Sequence, residues 1–166
     1  RARHGFLEAA ARLTVPLRCA KTPRPITGRA RDTERAMSQE NVEVVRQAVE
    51  NWYRGDLYAF LESFDEEVVL RAAEGWPETA YHGKREVLSF YEGIAETVGG
   101  EGVIEDLIGA GEIVVARARA HLTGERSGLE GDMQFSQVLT FRKGKVVLVE
   151  FFWDHHEALE AAGLRG

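Results

Sequence analysis

The stretch from Asp132 to Trp153, DMQFSQVLTFRKGKVVLVEFFW, decides the fold that this sequence predicts. Two runs rich in β-branched and aromatic residues flank Lys143-Gly144, so we predict a β-hairpin with its turn at that pair. Side chains alternate between the two faces of a strand, and one face of the first run is apolar apart from a single glutamine. We expect that face to point inward, towards helices. It comprises Met133, Phe135, Gln137, Leu139 and Phe141.

Three amphipathic helices are predicted before the hairpin. Ser38 and Asp56 are good N-cap residues for the first two helices, because their side chains can accept a bond from a free backbone N–H. Apolar residues recur at helical spacing in all three, and Phe64 closes the apolar stripe of the second. The third helix has its stop signal at Gly99-Gly100.

The order of the elements indicates the fold class. Runs of helices followed by a meander of long strands are typical of α+β proteins. We therefore predict a cone-shaped, curved antiparallel sheet wrapped around three helices, which pack on one face of the sheet. The other predicted elements are strands over Val68–Ala72, Val103–Ile108 and Glu112–Thr123 and a short helix over His155–Ala162.

Small side chains on the second long strand leave room inside this predicted cone. Alternation selects Val114, Leu122 and three alanines between them as its inward residues. Such a strand suits a cavity wall as well as a packed core. Burying the Gln137 amide without partners costs about 1–3 kcal/mol. It either bonds to backbone or water within a core, or is the polar group of an apolar small-molecule pocket. The alanines are Ala116, Ala118 and Ala120.

The N-terminal segment differs in composition from the rest of the chain. Residues 1–36 carry nine of the 21 basic residues and three of the 27 acidic ones, together with three of the four prolines. We predict that 1–36 is a disordered basic extension, or an upstream segment that precedes a native start at Met37, and that 37–166 is the domain. The domain is acidic and cannot neutralise phosphates, so we expect no nucleic-acid partner.

Cysteine content and hydropathy predict the compartment. The single cysteine, Cys19, cannot form an internal disulfide, which fits a reducing environment. No apolar run approaches the roughly 20 residues that span a bilayer, and no apolar segment typical of a secretory signal follows the N-terminal charges. We therefore expect a cytoplasmic protein with no membrane partner.

Several short stretches resemble the nuclear-transport-factor-like superfamily, and within it the SnoaL-like proteins and ketosteroid isomerases. The resemblance covers nearly all of 38–163 and implies a pocketed cone. That superfamily includes isomerases, polyketide cyclases, dehydratases, epoxide hydrolases and non-enzymatic binding or scaffold proteins. The stretches are Trp52–Leu57, Tyr81–Arg85, Phe90-Tyr91, Phe141–Val146 and Phe152–Asp154.

The catalytic groups of ketosteroid isomerases do not carry over to this chain. The resemblance places Ala72 where those enzymes have the general-base aspartate, and Ala48 where they have the tyrosine that stabilises the oxyanion. It places Gln137 where they have a protonated aspartate. Alanine cannot move a proton, and an amide can donate a hydrogen bond but does not titrate. We therefore expect no ketosteroid isomerase chemistry.

The pocket wall carries over better than the catalytic groups. The resemblance implies a site for a small hydrophobic organic ligand with one or two oxygens, in which Gln137 and Tyr91 donate to a ligand oxygen. With Glu74 as candidate base, the candidate catalytic residues are Glu74, Tyr91 and Gln137. The aromatic residues could instead fill the cone as a solid core. The ligand-binding candidates are Trp52, Phe90, Tyr91, Met133, Phe135, Gln137, Val149, Phe151 and Trp153.

A non-catalytic module is the alternative function. It would work through the outer face of the sheet, and we expect a homodimer in either case because a broad open sheet is usually covered. The histidines share no metal-ligand spacing, and no phosphate-binding loop or dinucleotide motif occurs, so we expect no metal and no cofactor. The outer-face residues are Arg117, Arg119, His121, Gln134, Ser136, Thr140, Glu150 and Phe152.

Overall fold

The computed structural model describes residues 17–19, 28–98, 102–123 and 130–164. These residues form four helices and seven strands, and the helices and strands mix as in an α+β fold. In chain order the elements are β1 (Leu17–Cys19), α1 (Gly28–Arg54), α2 (Leu57–Glu62), β2 (Phe64–Arg71), β3 (Ala80–His82), α3 (Gly83–Val98), β4 (Gly102–Ala110), β5 (Ile113–Thr123), β6 (Glu130–Arg142), β7 (Lys145–Phe152) and α4 (His155–Ala161).

The strands form one curved sheet in the order β1-β4-β5-β6-β7-β2-β3. The predicted hairpin of β6 and β7 is present, and its turn places Lys143 at φ 50° and Gly144 at φ 75°. Four of the pairings between described strands are antiparallel, as predicted, while β1 pairs with β4 and β2 pairs with β7 in parallel. The β2–β7 pairing is long-range in sequence, so no turn signal in the sequence announces it.

The residues that alternation predicts to point inward do lie on the inner face of the sheet. The described inward residues of β5 are buried, and on β6 Leu139 and Phe141 are buried while Phe135 and Gln137 are partly buried. They face α1 and α3, whose apolar stripes include Val42, Val45 and Phe90. The hydrophobic effect of this burial holds the helices inside the curve of the sheet. The buried inward residues of β5 are Val114, Ala116, Ala118 and Ala120.

The outer face of the sheet is partly covered, which corrects the predicted set of outer-face residues. Helix α4 packs on the outer face, where Ala158 lies over Val115 and Val138 in a second buried cluster. Ser136 is only 1% exposed and Phe152 packs against this cluster, so neither belongs to an open outer face. The physical reason is that the outer sides of β5 and β6 carry valines as well as charges, and a short apolar helix can cover them.

Helix α1 begins at Gly28, ten residues before the predicted N-cap at Ser38. Ser38 instead lies within the helix, where its Oγ accepts a hydrogen bond from the Gly111 backbone N–H at 2.6 Å. The sequence from 29 to 36 favours helix through its Ala, Arg and Glu residues, but it has no apolar stripe that reveals the helix. Residues 1–16 and 20–27 lie outside the described residues, and the domain boundary at 37 stays a prediction.

Helix α2 is shorter than predicted. It is capped by Asp56, whose side chain accepts from the Ala59 backbone N–H at 3.0 Å, and it ends at Glu62. Phe64, predicted as its last apolar residue, begins β2 instead. Alternation in the sequence does not reveal this strand, because acidic residues lie between Phe64 and Val69 and the pairing with β7 shifts register there. The predicted helix stop at Gly99-Gly100 and the side chain of Leu122 lie outside the described residues.

Candidate functional site

A cavity of about 140 Å³ lies between the helices and the inner face of the sheet. Its wall is mostly apolar and is built by α1, α2, α3 and strands β2, β4, β5, β6 and β7. The lining residues with side-chain oxygen or nitrogen atoms, apart from a tryptophan, are Tyr53, Ser63, Tyr91, Arg119 and Gln137.

Alanines create the space. Ala116, Ala118 and Ala120 occupy alternate positions on β5, and all three are buried and line the cavity. Ala48 of α1 also lines the cavity, where a ketosteroid isomerase would have its tyrosine according to the resemblance. Because these side chains end at Cβ, the sheet and the helix do not fill the gap between them, and the cavity remains.

Tyr91 and Gln137 form a hydrogen-bonded pair in the wall. Tyr91 projects from α3 and Gln137 from β6, and the tyrosine hydroxyl donates to Gln137 Oε1 at 3.1 Å. This bond occupies the amide oxygen and leaves the two N–H groups of Nε2 available for another acceptor. Both residues are among those selected from the sequence, and the fold brings their polar groups together inside the cone.

The surroundings of Tyr91 are aromatic. Its ring centroid lies 5.9 Å from that of Trp52, 5.3 Å from that of Phe60 and 6.2 Å from that of Phe151. Burial among these rings raises the pKa of the Tyr91 hydroxyl above its usual range, because the phenolate would lose its hydration. Tyr91 is therefore a neutral hydrogen-bond donor throughout the physiological pH range.

Tyr53 lines the cavity at the end of α1. Its hydroxyl donates to the backbone oxygen of Gly102, the first residue of β4. A Cβ at Gly102 would lie 3.1 Å from that hydroxyl, so glycine permits the close approach of helix and strand. Burial raises the pKa of Tyr53 to about 12. The sequence analysis selected the neighbouring Trp52 as a ligand-binding residue and did not select Tyr53, whose contact depends on where β4 begins.

Four of the predicted ligand-binding residues line the cavity, namely Trp52, Tyr91, Phe135 and Gln137. Phe90, Val149 and Phe151 are buried in the core but are not among the lining residues. Phe151 supports the wall from behind, since its ring stacks on Phe135 with centroids 5.5 Å apart.

The other predicted residues lie elsewhere. Met133, Trp153 and Glu74 are not in the cavity wall. Trp153 is exposed, and its Nε1 donates to the backbone oxygen of Glu74 at 2.9 Å. The loop that contains Glu74 is therefore hydrogen-bonded to Trp153 just after β7. The Glu74 carboxylate does not lie in the cavity wall with Tyr91 and Gln137.

Sequence reasoning also missed much of the apolar wall. Periodicity identified the helix positions as core, but it could not distinguish a residue that packs from one that faces a void. Both have the same spacing, and only the fit between helix and sheet separates them. The missed lining residues include Val44, Val45, Val49, Ile94, Ala95, Val103 and Ile104.

No acid or base that titrates near neutral pH lines the cavity within the described residues. The ionisable lining residues are Tyr53, Tyr91 and Arg119, and both tyrosines have raised pKa values. The Arg119 guanidinium pairs with Glu105, with Nε 3.1 Å from Oε1. The described residues also contain no cluster of three or more potential metal-ligating side chains. The geometry therefore offers hydrogen bonding and apolar contact.

Comparison with solved structures identifies the class of fold. The chain is similar to an NTF2-like protein of unknown function from Burkholderia pseudomallei K96243, with 23% identity, 73% of this chain and 95% of that chain covered, and a TM-score of 0.59. It is similar to TerC co-crystallised with polyporic acid, with 22% identity, 73% and 98% coverage and a TM-score of 0.61. The chain therefore has an NTF2-like fold.

A third similar structure belongs to a protein from Jannaschia sp. CCS1 that is named as a candidate SnoaL-like polyketide cyclase. It is 20% identical, with 70% of this chain and 86% of that chain covered and a TM-score of 0.61. No curated protein matches the chain significantly. The model of the SnoaL-like domain matches residues 45–149, more than half of the chain, and the chain belongs to that family.

None of the helices in the described parts of the chain is long and apolar enough to cross a membrane.

Proposed function

We propose that this SnoaL-like protein binds a small, neutral, mainly apolar organic compound that carries a hydrogen-bond acceptor. The observation that carries the proposal is the Tyr91–Gln137 pair, whose 3.1 Å bond leaves the amide N–H groups of Gln137 available in an otherwise apolar wall. A ligand carbonyl would accept from Nε2 while its apolar part contacts Trp52 and Phe135. The structure of TerC, crystallised with polyporic acid, supports an organic ligand for this type of fold.

The size of the cavity limits the ligand. A cavity of about 140 Å³ is close to the roughly 150 Å³ that admits benzene, and it lies below the roughly 300–1,000 Å³ of pockets for drug-sized compounds. We therefore propose a ligand with a single ring or a short branched chain. A steroid-sized compound would require displacement of the wall.

The charge of the wall favours a neutral ligand. A carboxylate placed beside Tyr91 and Gln137 would lose its hydration, at a cost of several kcal/mol. The cation of the described wall, the Arg119 guanidinium, is already paired with Glu105. A ketone or aldehyde loses little hydration and gains one hydrogen bond, which is worth about 0.5–1.5 kcal/mol.

Any reaction at this site would depend on polarisation of a ligand carbonyl. Isomerase, cyclase, dehydratase and hydrolase reactions all require proton transfer, and the described wall supplies no group that exchanges a proton near pH 7. The Nε2 N–H groups of Gln137, held in place by the bond from Tyr91, could stabilise negative charge that develops on a ligand oxygen. Proton transfer would then involve water or the ligand itself.

Ligand binding can be measured through tryptophan fluorescence, to which the cavity-lining Trp52 contributes, with acetophenone, toluene and benzoate as probes of similar size. We expect acetophenone to bind about 3- to 10-fold more tightly than toluene, as one hydrogen bond predicts, and benzoate not to bind. Gln137→Leu should remove the preference for acetophenone and keep the affinity for toluene.

Two variants complete this test. Gln134→Leu changes the same residue type on the exposed side of the same strand, and it should keep the preference. Ala118→Leu adds three carbon atoms to the alanine wall and should abolish the binding of both neutral probes. The proposal fails if Gln137→Leu leaves the ratio of the two affinities unchanged, or if Ala118→Leu binds as the wild type does.

We also propose that the protein is a cytoplasmic homodimer. The part of the outer face that α4 leaves open exposes Arg119, His121 and Gln134, and such polar sheet faces suit pairing with a second copy. Sedimentation velocity at micromolar concentration tests the dimer. A species at the chain mass of 18.5 kDa would contradict it.

A further inference from the structure

A second polar contact, outside the cavity, joins α4 to the sheet. His155 is the first residue of α4, and its Nδ1 lies 2.9 Å from the Oγ of Ser136 on β6. Ser136 is 1% exposed, so its hydroxyl has little access to water. Beside this contact, Ala158 of α4 covers Val115 and Val138. The hydrogen bond therefore lies at the edge of an apolar interface.

The charged groups near His155 come from β4, β5, β7 and α4. On β7, Glu150 is the cross-strand neighbour of Val138 and pairs with Arg71, with Oε1 3.0 Å from Nη1. Arg117 of β5 is the cross-strand neighbour of Ser136, and Asp106 of β4 is the neighbour of Arg117. Glu105 pairs with Arg117, with Nε 3.3 Å from Oε2. On the helix side, Asp154 is the N-cap, and its carboxylate accepts from the Glu157 backbone N–H at 3.0 Å. Glu105 and Asp154 are therefore each bound to a group other than His155.

Only neutral His155 satisfies the serine fully. When Nδ1 is unprotonated, it accepts the hydrogen bond from the Ser136 hydroxyl. When the imidazole is protonated, Nδ1 becomes a donor, and the serine hydrogen must turn away into a buried region. Protonation also places a second positive charge near Arg117. Both effects weaken the contact between helix and sheet.

The proton equilibrium agrees with this geometry. Burial, followed by the nearby positive charge of Arg117, lowers the pKa of His155, although Asp106 and Asp154 act in the opposite direction. In an undocked helix the imidazole regains its ordinary pKa of 6.5 and binds a proton more readily. Docking is therefore fully favourable above pH 6.5 and loses stability as the pH falls below that value.

We propose that His155 and Ser136 form a pH-sensitive clasp that holds α4 on the outer face of the sheet when His155 is neutral and loosens it below about pH 6.5. Loosening exposes the apolar strip of Val115 and Val138. The proposal concerns the outer face and is independent of the ligand in the cavity.

Hydrogen exchange of the full chain tests the clasp. The backbone N–H groups of Ala158, Ala162 and Leu164 donate within α4 and its end, so they report on the helix directly. After correction for the intrinsic effect of pH, we expect their protection to fall at least about threefold between pH 7.5 and pH 5.5. His155→Gln should make protection the same at both pH values.

The neighbouring histidine is the matched control. His156 is exposed on the same helix and pairs with Glu160 at 3.5 Å, so His156→Gln should keep the wild-type response to pH. If His155→Gln does not fold, Ser136→Ala should lower protection at pH 7.5 and reduce the response. The proposal is overturned by equal wild-type protection at both pH values, by a response that persists in His155→Gln, by an undiminished response in Ser136→Ala, or by a measured His155 pKa above 6.5.

Discussion

At the scale of single residues, Tyr91 and Gln137 are the most informative pair. An amide on an otherwise apolar strand face required a partner, and the structure supplies it from α3 at 3.1 Å. The bond orients both groups before a ligand arrives, which lowers the cost of ordering them on binding. The site is thus preorganised by one hydrogen bond between a helix and a strand.

This pair can be tested by its effect on stability. Tyr91→Phe removes the donor and leaves the partly buried Gln137 oxygen unsatisfied, so the free energy of unfolding should fall by about 1–3 kcal/mol. Adding Gln137→Leu to Tyr91→Phe should cost less than the sum of the two single changes, because both partners are then removed. Urea unfolding of the four proteins measures this coupling, and strict additivity would contradict the bond.

At the scale of elements, the contact of α1 with the β4–β5 turn positions the cavity. Ser38 and Asn41 are buried polar residues of α1, and both bond to the backbone of Gly111. Next to them, Gly109 lies so close to the helix that a Cβ there would be 2.9 Å from both the Ser38 backbone oxygen and Val42 Cγ2. The absence of a side chain therefore sets the distance between α1 and the sheet.

Gly109→Ala should separate α1 from β4 and lower the free energy of unfolding by about 1–3 kcal/mol. Gly131→Ala is the control, because a Cβ at that strand position meets nothing within 4 Å. Thermal unfolding distinguishes the two variants. Equal stabilities would show that the helix can shift at no cost.

At the scale of the whole molecule, the interior has two compartments on opposite sides of one sheet. The inner side holds α1, α3 and the cavity, and the outer side holds α4 on Val115 and Val138. Acidic conditions should weaken the packing of α4 in the outer compartment, because His155 becomes protonated. Alkaline conditions should destabilise the inner compartment, because its two lining tyrosines are buried as neutral phenols.

Stability should therefore decrease above pH 10. The pKa of Tyr53 is raised to about 12 in the folded protein and is 10.0 in an unfolded chain, so alkaline pH favours the unfolded state. The loss continues as the pH rises towards the folded value, at up to about 1.4 kcal/mol per pH unit for each such tyrosine. Urea unfolding between pH 8 and pH 10.5 should show a smaller loss for Tyr53→Phe than for the wild type. Tyr58→Phe, at a residue 77% exposed, should behave as the wild type.

The sequence by itself determined the hairpin, the inward-facing residues of β5 and β6 and the position of Gln137 among them. These features follow from local alternation and turn chemistry, which act between residues close in the chain. The same local rules failed where residues lack an apolar pattern, as at the start of α1 over 29–36 and at the acidic beginning of β2.

Only the tertiary structure decided which apolar residues face a void and which are packed. Phe151 and Phe135 have the same parity in the hairpin, yet Phe135 lines the cavity while Phe151 lies behind it. The structure also decided that α4 covers Ser136 and removes part of the outer face from solvent. Cavities and covered surfaces arise from the fit between elements far apart in sequence, and alternation within one strand carries no information about that fit.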